Sequence, residues 1–73
     1  MPTYSRVTDL QEIETPWGKF VRFQELELPD GSVMLRLRIR EGRRFTDLEL
    51  TPEVAGSLGR LLGDWAEGRQ SPS

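Results

Sequence analysis

Neither cysteine nor histidine occurs among the 73 residues. The first absence excludes disulfides and thiolate zinc sites. The second removes imidazole ligands, histidine general bases and the usual hydrolytic triads. No apolar run approaches the roughly 20 residues that span a bilayer. The N-terminal M-P-T-Y-S-R lacks the apolar stretch of a signal peptide, so a soluble cytoplasmic chain with no membrane partner is expected. Excess positive charge is missing too. Twelve acidic residues against ten basic ones leave a net charge of -2, which disfavours non-specific nucleic-acid binding by the chain as a whole. A chain this short forms one domain and buries only about 60% of the surface it exposes when unfolded. Such domains draw stability from a disulfide, a metal or a partner chain. With the disulfide excluded and no metal loop in view, self-association is the remaining staple.

What is present is alternation. Val33 to Arg40 reads V-M-L-R-L-R-I-R, the period of a strand with one buried and one wet face. Before it, Leu10 to Thr15 forms a strand with Ile13 inward, and Thr15-Pro16-Trp17-Gly18-Lys19 turns the chain. That turn pairs Thr15 with Lys19, Ile13 with Val21 and Glu12 with Arg22. The next strand, Lys19 to Leu28, changes parity between Val21/Phe23 and Leu26/Leu28. A one-residue slip flips every side chain, so the reading places a β-bulge at Gln24-Glu25 to return Leu26 and Leu28 to the core. A four-residue turn at Pro29–Ser32 then sets Leu28 against Val33 and Leu26 against Leu35, with Phe23 against Leu37. A third turn at Glu41-Gly42 pairs Leu35 with Leu48, Arg36 with Asp47 and Arg38 with Phe45.

Thr51, Pro52 and Glu53 open a helix as N-cap, first-turn proline and acid at the positive end of the dipole. Val54, Leu58, Leu61, Leu62 and Trp65 follow at helical spacing. With Ala55 they form one apolar stripe, expected to pack on the apolar face of the sheet with Trp65 in the core. Gly68 is the expected stop. The fold read from this pattern is α+β: a four-stranded antiparallel meander followed by one C-terminal helix. Residues 1–6 are expected to form a flexible arm, 7–68 the domain and 69–73 a disordered tail.

Two surfaces invite function. One end of the outer sheet face gathers Trp17, Lys19, Phe20, Arg22, Arg38, Arg40, Arg43, Arg44 and Phe45. Aromatic rings stack bases and arginines meet phosphates, so this is a candidate anion or nucleic-acid patch. The plainer reading is a solvated face of cross-strand ion pairs such as Glu25–Arg36–Asp47. Trp17 either folds over the sheet edge or stays exposed as a contact. The second surface is the back of the helix, where Gly56, Gly59 and Gly63 fall opposite the apolar stripe. Interior glycines cost about 1 kcal/mol each against alanine, and small residues let two helices approach closely. The stripe is therefore a candidate contact for the same helix of a second copy.

No nucleophile has a base placed beside it: Ser32, Ser57, Thr46 and Thr51 stand alone. The carboxylates Glu25, Glu27, Asp47 and Glu49 match no dedicated metal loop. No catalytic residue, metal or cofactor is expected. The reading is a small non-catalytic interaction module, homodimeric, open to another protein partner. The alternative is a single-stranded nucleic-acid-binding regulator that uses the exposed sheet face.

The hairpin, the R-F-T-D-L-E-L-T-P-E-V stretch and the helix of residues 33–65 resemble the C-terminal half of positive-cofactor-four-like transcription coactivators. That resemblance implies four strands and a helix, dimerisation, and single-stranded DNA binding on curved sheets. The lysine-rich strand and glycine-lysine-glycine approach of that family have no counterpart here; Glu41-Gly42-Arg43-Arg44, Asp47 and Glu49 stand in their place. The T-P-W-G and R-E-G-R-R-F-T phrases are similar to a small uncharacterised bacterial family, which adds no chemistry.

Overall fold

The computed structural model describes residues 4–69. Residues 1–3 of the expected arm and 70–73 of the expected tail lie outside them. Strands β1 (Arg6–Thr15), β2 (Lys19–Glu27), β3 (Val33–Glu41) and β4 (Arg44–Leu50) form an antiparallel meander in chain order, and helix α1 (Pro52–Arg69) follows. The α+β fold expected from the sequence is the one observed.

The first hairpin has the expected register, with Thr15 opposite Lys19, Ile13 opposite Val21 and Glu12 opposite Arg22. Its loop places both Trp17 (φ 65°) and Gly18 (φ 71°) in the left-handed region. Glycine takes that conformation freely, whereas a tryptophan there is strained.

The bulge expected at Gln24-Glu25 does not form. β2 and β3 pair without interruption from Phe20↔Arg40 to Glu27↔Val33, with Phe23 opposite Leu37 as expected. The extra residue is absorbed in the turn instead. Gly31 N–H donates to the Leu28 carbonyl and Leu28 N–H to the Ser32 carbonyl, each at 2.9 Å. Gly31 sits at φ 91°. This is a three-residue loop ending in a left-handed glycine, whose small bulge lies outside the strand. Asp30 braces it by accepting from the Ser32 N–H and hydroxyl. The sheet's one register shift lies in β1, between Asp9 and Gln11.

Without a bulge in β2, Leu26 stays on the face opposite Val21 and Phe23. It pairs with Val7 and Met34, not with Leu35, and at 0% exposure it is the most buried side chain of the described residues. Tyr4 crosses this face. Its hydroxyl donates to Glu49 Oε2 at 2.7 Å, and the Arg36 guanidinium lies over its ring. Ser5 N–H bonds the Glu27 carbonyl at 2.7 Å, and β1 begins at Arg6, ahead of the expected Leu10.

The third hairpin closes on Gly42-Arg43 rather than Glu41-Gly42, since Glu41 pairs with Arg44. Gly42 takes φ 61° and Arg43 does not join it, as a tight turn with glycine at its first central position requires. Every pairing moves by two residues: Leu35 meets Leu50, Leu37 meets Leu48 and Arg38 meets Asp47. An even shift preserves faces, so Leu48 and Leu50 still join Leu35 and Leu37 on one side. That apolar face holds the rows Phe23–Leu37–Leu48 and Ile13–Val21–Ile39.

α1 is capped as the sequence implies. The Thr51 hydroxyl accepts the Val54 N–H at 3.2 Å, and Glu53 lies in the first turn. The helix continues through Gly68 to Arg69. α1 contacts the sheet as expected, at β3 and β4, but the packing is loose: none of its residues is buried. Val54, Leu61, Leu62 and Trp65 are 51%, 68%, 61% and 65% exposed. Trp65 is therefore not a core residue of the single chain; the Arg69 guanidinium lies over its ring, 5.7 Å from the centroid. Thr51 is the only residue between Leu50 and Pro52, so the helix starts directly at the end of β4, and its contacts with the sheet fall on β3 and β4. The radius of gyration is accordingly 14.5 Å, against about 11 Å for a compact chain of this length.

Candidate functional site

On the face opposite the apolar rows, alternation and pairing bring together part of the expected patch. One row runs Glu14–Phe20–Arg40–Phe45 and the next Glu12–Arg22–Arg38–Asp47. Phe20, Arg22, Arg38, Arg40 and Phe45, with Glu12, line a hollow of about 300 Å³. The Arg40 guanidinium stacks on Phe20 at 4.6 Å and that of Arg38 lies 5.8 Å from Phe45. Cation–π contacts of this kind contribute about 0.5–1 kcal/mol each at exposed sites.

The other residues expected in the patch are elsewhere. Lys19 and Arg44 project from the apolar side, where Lys19 Nζ pairs with Glu41 at 2.8 Å. Trp17 stands free at 91% exposure instead of folding over the sheet edge, and Arg43 lies in the third turn. The expected Glu25–Arg36–Asp47 ion-pair row is corrected as well. Glu25 is on the opposite face, and Arg36 Nε donates instead to Gln24 Oε1 at 2.9 Å. Gln24 passes the chain on to Asp9 Oδ1 at 2.7 Å, which satisfies its buried amide. Sequence reasoning missed this Asp9–Gln24–Arg36–Tyr4 network because it depends on the β1 shift that sets Asp9 opposite Gln24.

Carboxylates temper the hollow. Arg38 Nε and Nη2 donate to the two oxygens of Asp47 at 2.9 Å each, and Arg22 pairs with Glu12 at 3.3 Å. Arg40 has no salt-bridge partner among the described residues, so its charge is the least neutralised of the three. The Arg38 hydrogen bond holds the Asp47 carboxyl below its usual range, and the Lys19 hydrogen bond does the same for Glu41. A carboxylate whose folded pKa is depressed contributes stability that is full above its unfolded value of about 4 and lost as pH falls through the folded value. The urea midpoint is therefore expected to hold from pH 7 to about 5 and to drop below about 4. Asp47→Asn with Glu41→Gln should flatten that drop, as urea titrations at pH 7 and pH 3 would read.

No group of three or more acidic side chains among the described residues is placed to hold a metal ion. Glu25 and Glu27 lie on one face of the sheet, Asp47 and Glu49 on the other. No helix of the described residues is long and apolar enough to cross a membrane.

The glycine side of α1 is open. A methyl group built at Gly59 or Gly63 meets nothing within 4 Å, and at Gly56 it meets only the Arg60 guanidinium at 3.6 Å. Gly56→Ala with Gly63→Ala should stabilise the helix by about 1 kcal/mol per site, seen as a higher melting midpoint with unchanged solution mass. A fall in mass would place a second helix on the glycine side.

No curated protein and no solved structure matches the chain. A sequence family described as a family of unknown function (DUF6967) matches residues 4–68, nearly the whole chain, and the protein belongs to that family.

Proposed function

We propose that this protein is a small non-catalytic interaction module that works as a homodimer. One observation carries the reading: a single chain leaves Val54, Leu61, Leu62 and Trp65 of the α1 stripe and Ile13, Val33 and Leu48 of the apolar sheet face exposed. Burying a Leu, Val or Phe side chain stabilises by about 1.5–3 kcal/mol, and a 73-residue domain has little else to draw on. A second copy supplies the missing burial without requiring a different partner. The dimer then presents two copies of the arginine–phenylalanine face outward, available to a further protein. The test is thermal melting at protein concentrations tenfold apart. A homodimer gains stability by mass action, so its midpoint rises with concentration. A constant midpoint would overturn the reading.

The second reading, single-stranded nucleic-acid binding, is favoured by the hollow that gathers Phe20, Phe45, Arg22, Arg38 and Arg40. Rings that stack bases beside cations that meet phosphates suit a flexible strand. Against it stand Glu12 and Asp47, which already occupy Arg22 and Arg38. A labelled single strand titrated at two salt concentrations would decide. Binding that weakens with salt and is lost in Arg40→Glu supports this reading.

A further inference from the structure

We infer that the two copies exchange helices, α1 of each lying along the apolar sheet face of the other; this rests on the homodimer reading and names its interface. Three arrangements of a two-fold pair are open to these surfaces. Helix against helix would cover the stripes and leave both sheets bare. Sheet against sheet would cover the sheets and leave Leu61, Leu62 and Trp65 in water. Reciprocal exchange covers all four surfaces with one two-fold operation, the same patch meeting its counterpart twice.

Dimensions agree. Eighteen helical residues span about 27 Å, and the nine residues of β3 span about 30 Å, so the stripe matches the strands it would lie along. The helix leaves β4 through Thr51 alone and contacts its own sheet at β3 and β4 without burying any of its residues. Surface area agrees as well. A compact monomer of 8.4 kDa exposes about 4,600 Å², whereas this chain exposes 5988 Å². The excess exceeds the roughly 800 Å² per partner of a standard interface.

The sheet face also has the anatomy of an interface, an apolar centre within a polar rim. Lys19 and Glu41 pair at one end of the apolar rows, and Arg6 and Glu27 at the other. Tyr4 crosses the opposite face. In the exchanged pair the stripe points at the partner's sheet, and Gly56, Gly59 and Gly63 point to solvent. The arginine hollow stays on the outside.

The absence of native cysteine makes cross-linking clean. An Ile13→Cys/Leu62→Cys double variant is prepared in ordinary and nitrogen-15 form, mixed, refolded together and joined with a short bis-thiol reagent. Mass before joining is read by light scattering, and Leu48→Cys/Leu61→Cys repeats the experiment should the first pair misfold. Exchange predicts a mass twice that of the chain and sheet–helix cross-linked peptides of which about half carry one label of each kind. A doubled mass with only helix–helix or sheet–sheet links, with sheet–helix links of one label only, or with no links overturns exchange and leaves the homodimer standing. A mass of one chain, with or without links, overturns both.

Discussion

Leu62→Asp is expected to split the protein into single chains. Leu62 is largely exposed in the isolated chain, so in a monomer this substitution would be neutral or would improve solubility. In the exchanged dimer the same side chain is buried against the partner's sheet, twice per assembly. Losing about 1.5–3 kcal/mol at each of two sites raises the dissociation constant by roughly two to four decades. The released helix should also lose helicity. Gly56, Gly59, Gly63 and Gly68 interrupt it, and isolated helices of about this length are marginal even when alanine-rich. Light scattering and far-UV circular dichroism on the same samples check both effects. Unchanged mass and helicity would mean that the stripe is idle.

Leu26→Ala is expected to be the most destabilising conservative truncation in the sheet. Leu26 is fully buried between Val7 and Met34 on the face that Tyr4 crosses. Truncating a buried leucine costs about 2–5 kcal/mol, a large share of the 5–15 kcal/mol that holds a typical domain together. Urea denaturation should show a much lower midpoint than for Leu61→Ala at low protein concentration, where single chains dominate. Equal midpoints would mean that Leu26 lies on the other face and that the β2 bulge exists.

That second expectation marks where the sequence was legible. The helix start was readable because Thr51-Pro52-Glu53 carries its own chemistry. The first hairpin was readable because Thr15-Pro16-Trp17-Gly18-Lys19 leaves a single register. The parity change at Gln24-Glu25 was real, but alternation alone does not say whether the odd residue sits in the strand or the turn. Gly31 decided it by taking the left-handed conformation. In the third hairpin Glu41-Gly42 and Gly42-Arg43 both offer two-residue loops with the same faces. Only the demand for glycine at the first position separates them, and that choice set Arg38 beside Asp47 and Arg40 beside Phe45.

The arginine–phenylalanine cluster was legible in part. Alternation groups Phe20, Arg22, Arg38, Arg40 and Phe45, whereas nearness along the strands does not place Lys19 and Arg44, which lie on the other side. The largest gap concerns α1. Periodicity says that Val54, Leu58, Leu61, Leu62 and Trp65 share one side; it does not say in which molecule the covering surface lies. The 51–68% exposure of Val54, Leu61, Leu62 and Trp65 shows that the chain's own sheet covers that side only in part.

Whether two chains complete what one leaves exposed is read from the solution mass of the unmodified protein. Light scattering should be run over a hundredfold range of concentration at low and high salt. A homodimer with an apolar interface gives twice the 8.4 kDa of the chain at both salt concentrations. A mass of 8.4 kDa at every concentration, with α1 still helical by circular dichroism, would contradict it.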